Sequence, residues 1–253
     1  MKNKNIIITG ASKGLGHDLA ISLSKENNKL FLISRDIKKL NQLKNKCTFK
    51  SKHKVYSANL LFPEETLNIS KEIKFFFKNK IDAIIHCAGG GLGLKQNNLN
   101  NFDLLKLLNL NILSSIELNR LLLPSMLKRK SGKIIHIGSI ASNEAVGSLG
   151  YNVAKASLNA YVKTLGRDLA RKNIVITGIA PGGFITRDNA MDRLRIKNNK
   201  AYKNFIKERL PRKKMGLTSE IIPLIKFLCS DNSGMMCGCL VPIDGGESIS
   251  YNF

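Results

Sequence analysis

Tyr151 precedes Lys155 by four residues in a stretch that reads as helix (151–171), so the two side chains share one face, a turn apart. A free phenol titrates at about pH 10 and is a sluggish base at neutral pH. An ammonium beside it favours the phenolate and brings the phenol toward working pH, as a group that gives or takes a proton at a carbonyl oxygen requires. A second set of residues points to a phosphate-bearing ligand. The apolar run 5–9 is followed by Thr9-Gly10-Ala11-Ser12-Lys13-Gly14-Leu15-Gly16 and then by an amphipathic helix. Glycines at positions 10, 14 and 16 permit a tight turn, let backbone approach a pyrophosphate and let the helix pack closely on the sheet. The phosphates then lie at a helix N-terminus, where free N–H groups and the helix dipole favour anions.

Short apolar or β-branched runs recur at 5–9, 29–34, 54–58, 82–86, 133–138, 174–179 and 240–243, each reading as a buried strand. Helix-length patterns lie between them, at about 15–27, 36–46, 64–78, 101–129, 151–171 and 218–229. Such alternation predicts an α/β chain: a doubly wound, seven-stranded parallel sheet with helices on both faces, joined by right-handed crossovers. No linker or repeat divides it, so residues 1–253 form one domain. One excursion stands out. Residues 187–215 carry eleven Lys/Arg and follow the C-terminal end of a strand, which fits a substrate lid better than an ordinary pair of solvated helices.

The chain has 41 Lys and Arg against 18 Asp and Glu, a formal charge of +23. That charge would suit a nucleic-acid or anionic partner, but the lysines are scattered among many Asn and Ile rather than clustered on one element. Compositional bias is therefore the favoured reading. No uncharged apolar run reaches the ~20 residues of a bilayer helix, and the opening MKNKNIIITGASKG does not read as a signal peptide, so a cytoplasmic protein is expected. Five cysteines without CxxC or Cys/His spacing indicate neither a disulfide framework nor a metal site.

The glycine turn together with Tyr151-Asn-Val-Ala-Lys155 resembles the short-chain dehydrogenase/reductase family, and the resemblance runs over the whole chain. Asn111 in the helix before the fifth strand, Ser139 directly after that strand, Pro181-Gly182 after the sixth and the terminal Ile243-Asp244-Gly245-Gly246 also match. The family's usual Asn-Asn-Ala-Gly after strand four reads His86-Cys87-Ala88-Gly89 here, and Asn59 stands in place of its acidic residue after strand three. The spacing from Ser139 to Tyr151 is one residue short, which keeps Ser142 as an alternative to Ser139.

The resemblance implies a Rossmann fold, an enzyme acting on CH–OH groups, a nicotinamide cofactor and a homo-oligomer, commonly a tetramer. It makes Tyr151 the acid for ketone reduction and the base for alcohol oxidation, and gives Lys155 the nicotinamide ribose. Ser139 would bond the substrate oxygen, and Asn111 would position a water on the proton path, with Asn109 as a rival. Ser12, Leu15, Asn59, Leu60, Ala88, Gly89, Phe184 and Thr186 join the glycines, Pro181 and Gly182 along the cofactor path. Cofactor type is read from the end of strand two, where Ser34-Arg35 stands in place of an acidic residue. A guanidinium pairs with phosphate, and Lys13 adds a second cation, so NADP(H) is expected over NAD(H). Asp36, one position on, argues the other way but suits the N-cap of the next helix.

Two substrate classes remain. One is a 3-oxoacyl-carrier-protein reductase activity, in which Lys130 and Lys172 would dock an acidic carrier. The other is a sugar or nucleotide-sugar intermediate of surface-polysaccharide synthesis, suggested by Asn189-Ala190-Met191, Arg209-Leu210-Pro211-Arg212 and Cys239-Leu-Val-Pro-Ile-Asp, with Arg187, Arg193, Arg195, Arg209 and Arg212 meeting a diphosphate. A nucleotide-sensing or nucleic-acid-binding protein on the same fold is the non-enzymatic alternative.

Overall fold

The computed structural model describes residues 2–251. Its first half runs β1 (Asn5–Thr9), α1 (Gly14–Ser24), β2 (Lys29–Ser34), α2 (Ile37–Lys46), β3 (Lys54–Ser57), α3 (Pro63–Phe77) and β4 (Ala83–His86). The chain continues through α4 (Asn101–Leu108), α5 (Ser114–Arg129), β5 (Gly132–Ile137), α6 (Leu149–Ala170) and β6 (Ile174–Pro181). It closes with β7 (Phe184–Ile185), α7 (Ala190–Lys197), α8 (Asn199–Arg209), β8 (Gly216–Leu217), α9 (Thr218–Leu228) and β9 (Leu240–Ile243).

Seven strands pair in parallel in the order β3-β2-β1-β4-β5-β6-β9. Side chains alternate across a strand, so a continuous apolar run must be covered on both faces. Ile6, Ile8, Leu30, Leu32 and Ile85 pack on one face with residues of α1, α2 and α9. Ile7, Phe31, Ile33 and Ile84 pack on the other with residues of α3, α5 and α6. The order reverses between β1 and β4, which opens a crevice above their C-terminal ends.

One region differs from the sequence reading: the expected single helix over 101–129 is interrupted by a π-helical turn at Asn109–Leu113. The excursion 187–215 contains the helices α7 and α8, and its ends are held side by side by a two-residue parallel ladder, Phe184 opposite Gly216 and Ile185 opposite Leu217. No helix among the described residues is long and apolar enough to cross a membrane.

Candidate active site

β1 ends at buried Thr9, and the turn that follows is fixed by contact rather than by sequence alone. Gly10 has φ +65°, and a Cβ there would lie 2.7 Å from the backbone nitrogen of Ala88, two residues past the end of β4. A Cβ on Gly16 would lie 2.7 Å from the Gly10 carbonyl oxygen. The turn is pinned from below by the Ala11 N–H, which donates to the Ile33 carbonyl at 3.1 Å, and by the Ala88 N–H, which donates to the Thr9 hydroxyl at 3.2 Å. α1 begins at Gly14, and Lys13 before it supplies no side-chain cap, so the first N–H groups of the helix face the crevice uncapped by it. The Leu15 side chain is buried in the core, which leaves only its backbone for a ligand.

The π turn explains how a residue of the long helix reaches the crevice. A widened turn re-aims the side chains it carries. Asn111 is 3% exposed, and its amide donates to the Leu107 carbonyl at 2.9 Å and the Gly90 carbonyl at 3.0 Å, while its Oδ1 accepts the Gly90 N–H at 2.9 Å. Through Asn111 these bonds tie α4 to the loop after β4. Gly89 is held between the two groups: a Cβ there would lie 2.9 Å from Asn111 Oδ1 and 3.5 Å from Lys155 Nζ. Lys155 is buried in α6, donates to the Ile137 carbonyl at 2.8 Å, and holds its ammonium 5.6 Å from the Tyr151 ring centre. Ser139 caps the turn after β5, accepting the Ala141 N–H at 3.1 Å, and its side chain hydrogen-bonds Tyr151. The Ser142 hydroxyl instead donates to the Ser139 carbonyl at 2.7 Å, so Ser139, not Ser142, meets the tyrosine despite the shortened spacing.

Electrostatics here differ in one respect from the sequence reading. Burial pushes the Tyr151 phenol above its usual value, and the bond with Ser139 only partly opposes that. Burial also lowers the Lys155 ammonium, to about 8. Behind the site, His86 and His136 stack at 4.6 Å, with Asn119 Oδ1 2.8 Å from His86 Nε2 and its amide nitrogen 3.3 Å from His136 Nε2. The Asn119 amide also donates to the Tyr161 hydroxyl at 3.1 Å. Burial holds His86 down at about 4 and His136 well below the ordinary histidine value, so both are neutral packed groups. Burial also pushes the Cys87 thiol up to about 12.

At the adenosine end, Ser34 closes β2 and accepts the Asp36 N–H at 3.3 Å, while the Arg35 side chain is exposed. Asp36 accepts the Lys39 N–H at 3.0 Å as the N-cap of α2, so its carboxylate serves the helix. Asn59 folds a local turn in which its N–H donates to Glu65 at 2.9 Å, and the Leu60 side chain lies in the core. Pro181 ends β6, and the Gly182 N–H donates to the Ile243 carbonyl at 3.3 Å. Phe184 lies at the core edge in β7. The Thr186 hydroxyl donates to Asp18 at 3.0 Å rather than standing free, and Thr218 donates to the same carboxylate oxygen at 2.7 Å. Sequence reading passed over Lys39 and Asp188, whose side chains meet at 3.4 Å across this end. It also passed over Glu144, in the loop between Ser139 and Tyr151, which accepts the N–H groups of Ile249 and Ser250 at 2.9 and 2.8 Å.

These residues fit a dinucleotide. Added Cβ atoms would fill the glycine cradle, uncapped helix N–H groups face the crevice, and the exposed cations Lys13 and Arg35 flank it. The family model described as short chain dehydrogenase matches residues 4–195. The chain is 30% identical over 248 residues to 3-oxoacyl-(acyl-carrier-protein) reductase FabG of Buchnera aphidicola subsp. Baizongia pistaciae, with 96% of each chain covered. It is 29% identical over 246 residues to the enzyme of the same name from Rickettsia typhi, again with 96% of each covered. Among solved structures it is similar to L-sorbose reductase from Gluconobacter frateurii complexed with NADPH and L-sorbose, with a TM-score of 0.88, 25% identity and 99% and 98% of the two chains covered. A doubly wound sheet with this crevice defines a nucleotide-binding scaffold. The chain belongs to the short-chain dehydrogenase family.

Proposed function

We propose that this chain is an NADP(H)-dependent oxidoreductase that interconverts a ketone and a secondary alcohol, with a 3-oxoacyl group on an acidic carrier as the substrate class. The observation that carries this is the convergence of Ser139, Tyr151, Lys155 and Asn111 on the crevice beside the glycine turn. The substrate class rests on the FabG relative, alike along 96% of both chains. The cofactor class rests on Lys13 and Arg35 and on the NADPH carried by the L-sorbose reductase structure.

Gly10, Ser12, Lys13, Gly14, Leu15 and Gly16 hold the phosphates, Ser34 and Arg35 the adenosine ribose end, and Asn59 and Leu60 the adenine side through backbone. Ala88, Gly89, Pro181, Gly182, Phe184 and Thr186 line the nicotinamide side. When bound, the nicotinamide supplies or receives the hydride. Tyr151 gives its proton to the substrate oxygen during reduction, a direction that its raised pKa favours by keeping the phenol protonated. Ser139 holds that oxygen as negative charge develops. Lys155, fixed on the Ile137 carbonyl, grips the ribose and presents its ammonium to the phenol once that phenol has lost its proton. Asn111, held in place by its bonds to Gly90 and Leu107, positions a water that connects Lys155 to solvent on the path by which Tyr151 regains its proton. The insertion 187–215 is the substrate lid. Copies meet in a tetramer through the two long helices α5 and α6 and the last strand β9. Five free cysteines suit the reducing cytoplasm.

The test is a titration with NADPH and NADH at physiological salt, followed by reduction of a 3-oxoacyl thioester. Tight NADPH binding, weak NADH binding and turnover of the thioester support the assignment; binding of neither dinucleotide sinks it. A sugar ketone is the second substrate class, favoured by the likeness to the L-sorbose reductase structure, and is assayed in parallel.

A further inference from the structure

Lys13 is one of several cations at the adenosine end of the crevice. Burial lowers its ammonium below the usual value, and the nearby charges of Arg193, Lys39 and Arg35 lower it further, with Asp188 alone opposing them. These four cations come from four places: the glycine turn, the end of β2, the first turn of α2, and helix α7 of the insertion. The stem of the insertion lies against the glycine turn, since a Cβ on Gly14 would be 3.7 Å from Thr186 Cγ2. Asp188 in that stem has φ +63°, and its carboxylate receives Lys39 Nζ from α2 at 3.4 Å. Its carbonyl accepts Arg193 Nη1 at 2.5 Å, and its N–H donates to Asp192 at 3.1 Å. Asp192 is also engaged by Arg195 at 2.8 Å, and Asp36 caps α2. Both of those carboxylates serve helix starts, which leaves four cations facing one exchangeable carboxylate.

We propose that Lys39 and Arg193 are further specificity-determining residues for the 2′-phosphate of the cofactor, and that Asp188 is the internal counter-ion this phosphate displaces. The phosphorylated dinucleotide would thereby be the form that draws α7 onto the groove. The inference deepens the NADP(H) reading above and rests on it. The Lys39–Asp188 pair is about half exposed on each side, and exposed pairs of single charges are weak. A dianionic phosphate offers Lys39 and Arg193 more charge and three acceptor oxygens, so exchange of partners is favourable. A dinucleotide without that phosphate leaves the Lys39–Asp188 pair in place.

The experiment compares wild type with Lys39→Ala, Arg193→Ala, Asp188→Asn and, as a reference, Arg35→Ala. Dissociation constants are measured for NADPH, NADH and the fragment 2′,5′-ADP at two salt concentrations. Asn tolerates the left-handed backbone of position 188, so Asp188→Asn changes charge without strain. Lys39→Ala and Arg193→Ala are expected to weaken NADPH and 2′,5′-ADP by on the order of five- to tenfold and to leave NADH unchanged. Asp188→Asn is expected to tighten NADPH and 2′,5′-ADP. Tryptic cleavage within 187–214 should slow with 2′,5′-ADP and not with NADH. An NADPH preference that Arg35→Ala destroys but Lys39→Ala and Arg193→Ala leave untouched overturns this inference alone. Equal affinity of the wild type for NADPH and NADH overturns the cofactor assignment and the inference with it.

Discussion

Replacing Lys155 by Met removes a buried ammonium whose proton is held less firmly in the folded chain than in the unfolded one. Lys155 is 3% exposed, and burial brings it to about 8 from an ordinary 10.5. Below pH 8 both states carry the proton, and the folded state bears a cost of about 3 kcal/mol for the charge. Between pH 8 and 10.5 the folded chain has released the proton and the unfolded chain has not, so this group makes stability rise with pH. Between pH 7 and 9.5 the rise comes to about 2 kcal/mol. Urea unfolding of wild type and Lys155→Met at pH 7, 8, 9 and 9.5 isolates it, because every other titration cancels in the difference. Wild type should gain on the variant by about 2 kcal/mol over that range. Ketone reduction by wild type should run the opposite way and fall above pH 8, as the ammonium that grips the ribose is lost. Parallel stability curves for the two proteins would refute the burial argument. A reduction rate flat to pH 9.5 would refute the requirement for the charged form.

Tyr151→Phe should lower turnover by on the order of a thousandfold while NADPH affinity stays within about twofold, measured by steady-state rates and nicotinamide fluorescence. Asn111→Leu leaves the Gly90 N–H and the Leu107 and Gly90 carbonyls without their partner, and should cost about 2 to 4 kcal/mol in urea unfolding, with turnover falling as well. Gly10→Ala places a methyl group 2.7 Å from the Ala88 nitrogen on a backbone with φ +65°, so the turn must shift; dinucleotide affinity should drop about tenfold or more, read by fluorescence titration.

Much of the scaffold is legible because it depends on local rules. NIIIT, KLFLIS and IVITGI read as buried strands from their continuous apolar character, and they form β1, β2 and most of β6. Asp36 reads as an N-cap and accepts the Lys39 N–H. The break at Asn109–Leu113 is not legible, since LLKLLNLNILSS is an ordinary helical pattern and the wide turn is stabilised by Gly90 from a loop 21 residues away. Nor is the Asn119 network, whose members His86, His136 and Tyr161 come from two strands and another helix. The expected fall in the Tyr151 pKa considered the nearby ammonium and not burial, which only packing reveals and which raises the phenol.

By itself the sequence determined the alternation of strands and helices, the glycine turn after β1 and the shared face of Tyr151 and Lys155, because each follows from periodicity, glycine's backbone freedom or helical spacing within a few residues. Only the tertiary structure decided that Ser139 rather than Ser142 meets the phenol, that Asn111 turns inward, and that Lys39 faces Asp188 across 149 residues of chain. Those choices depend on which strands and loops are brought together at the carboxyl edge of the sheet, and that adjacency is fixed by burial of both its faces at once.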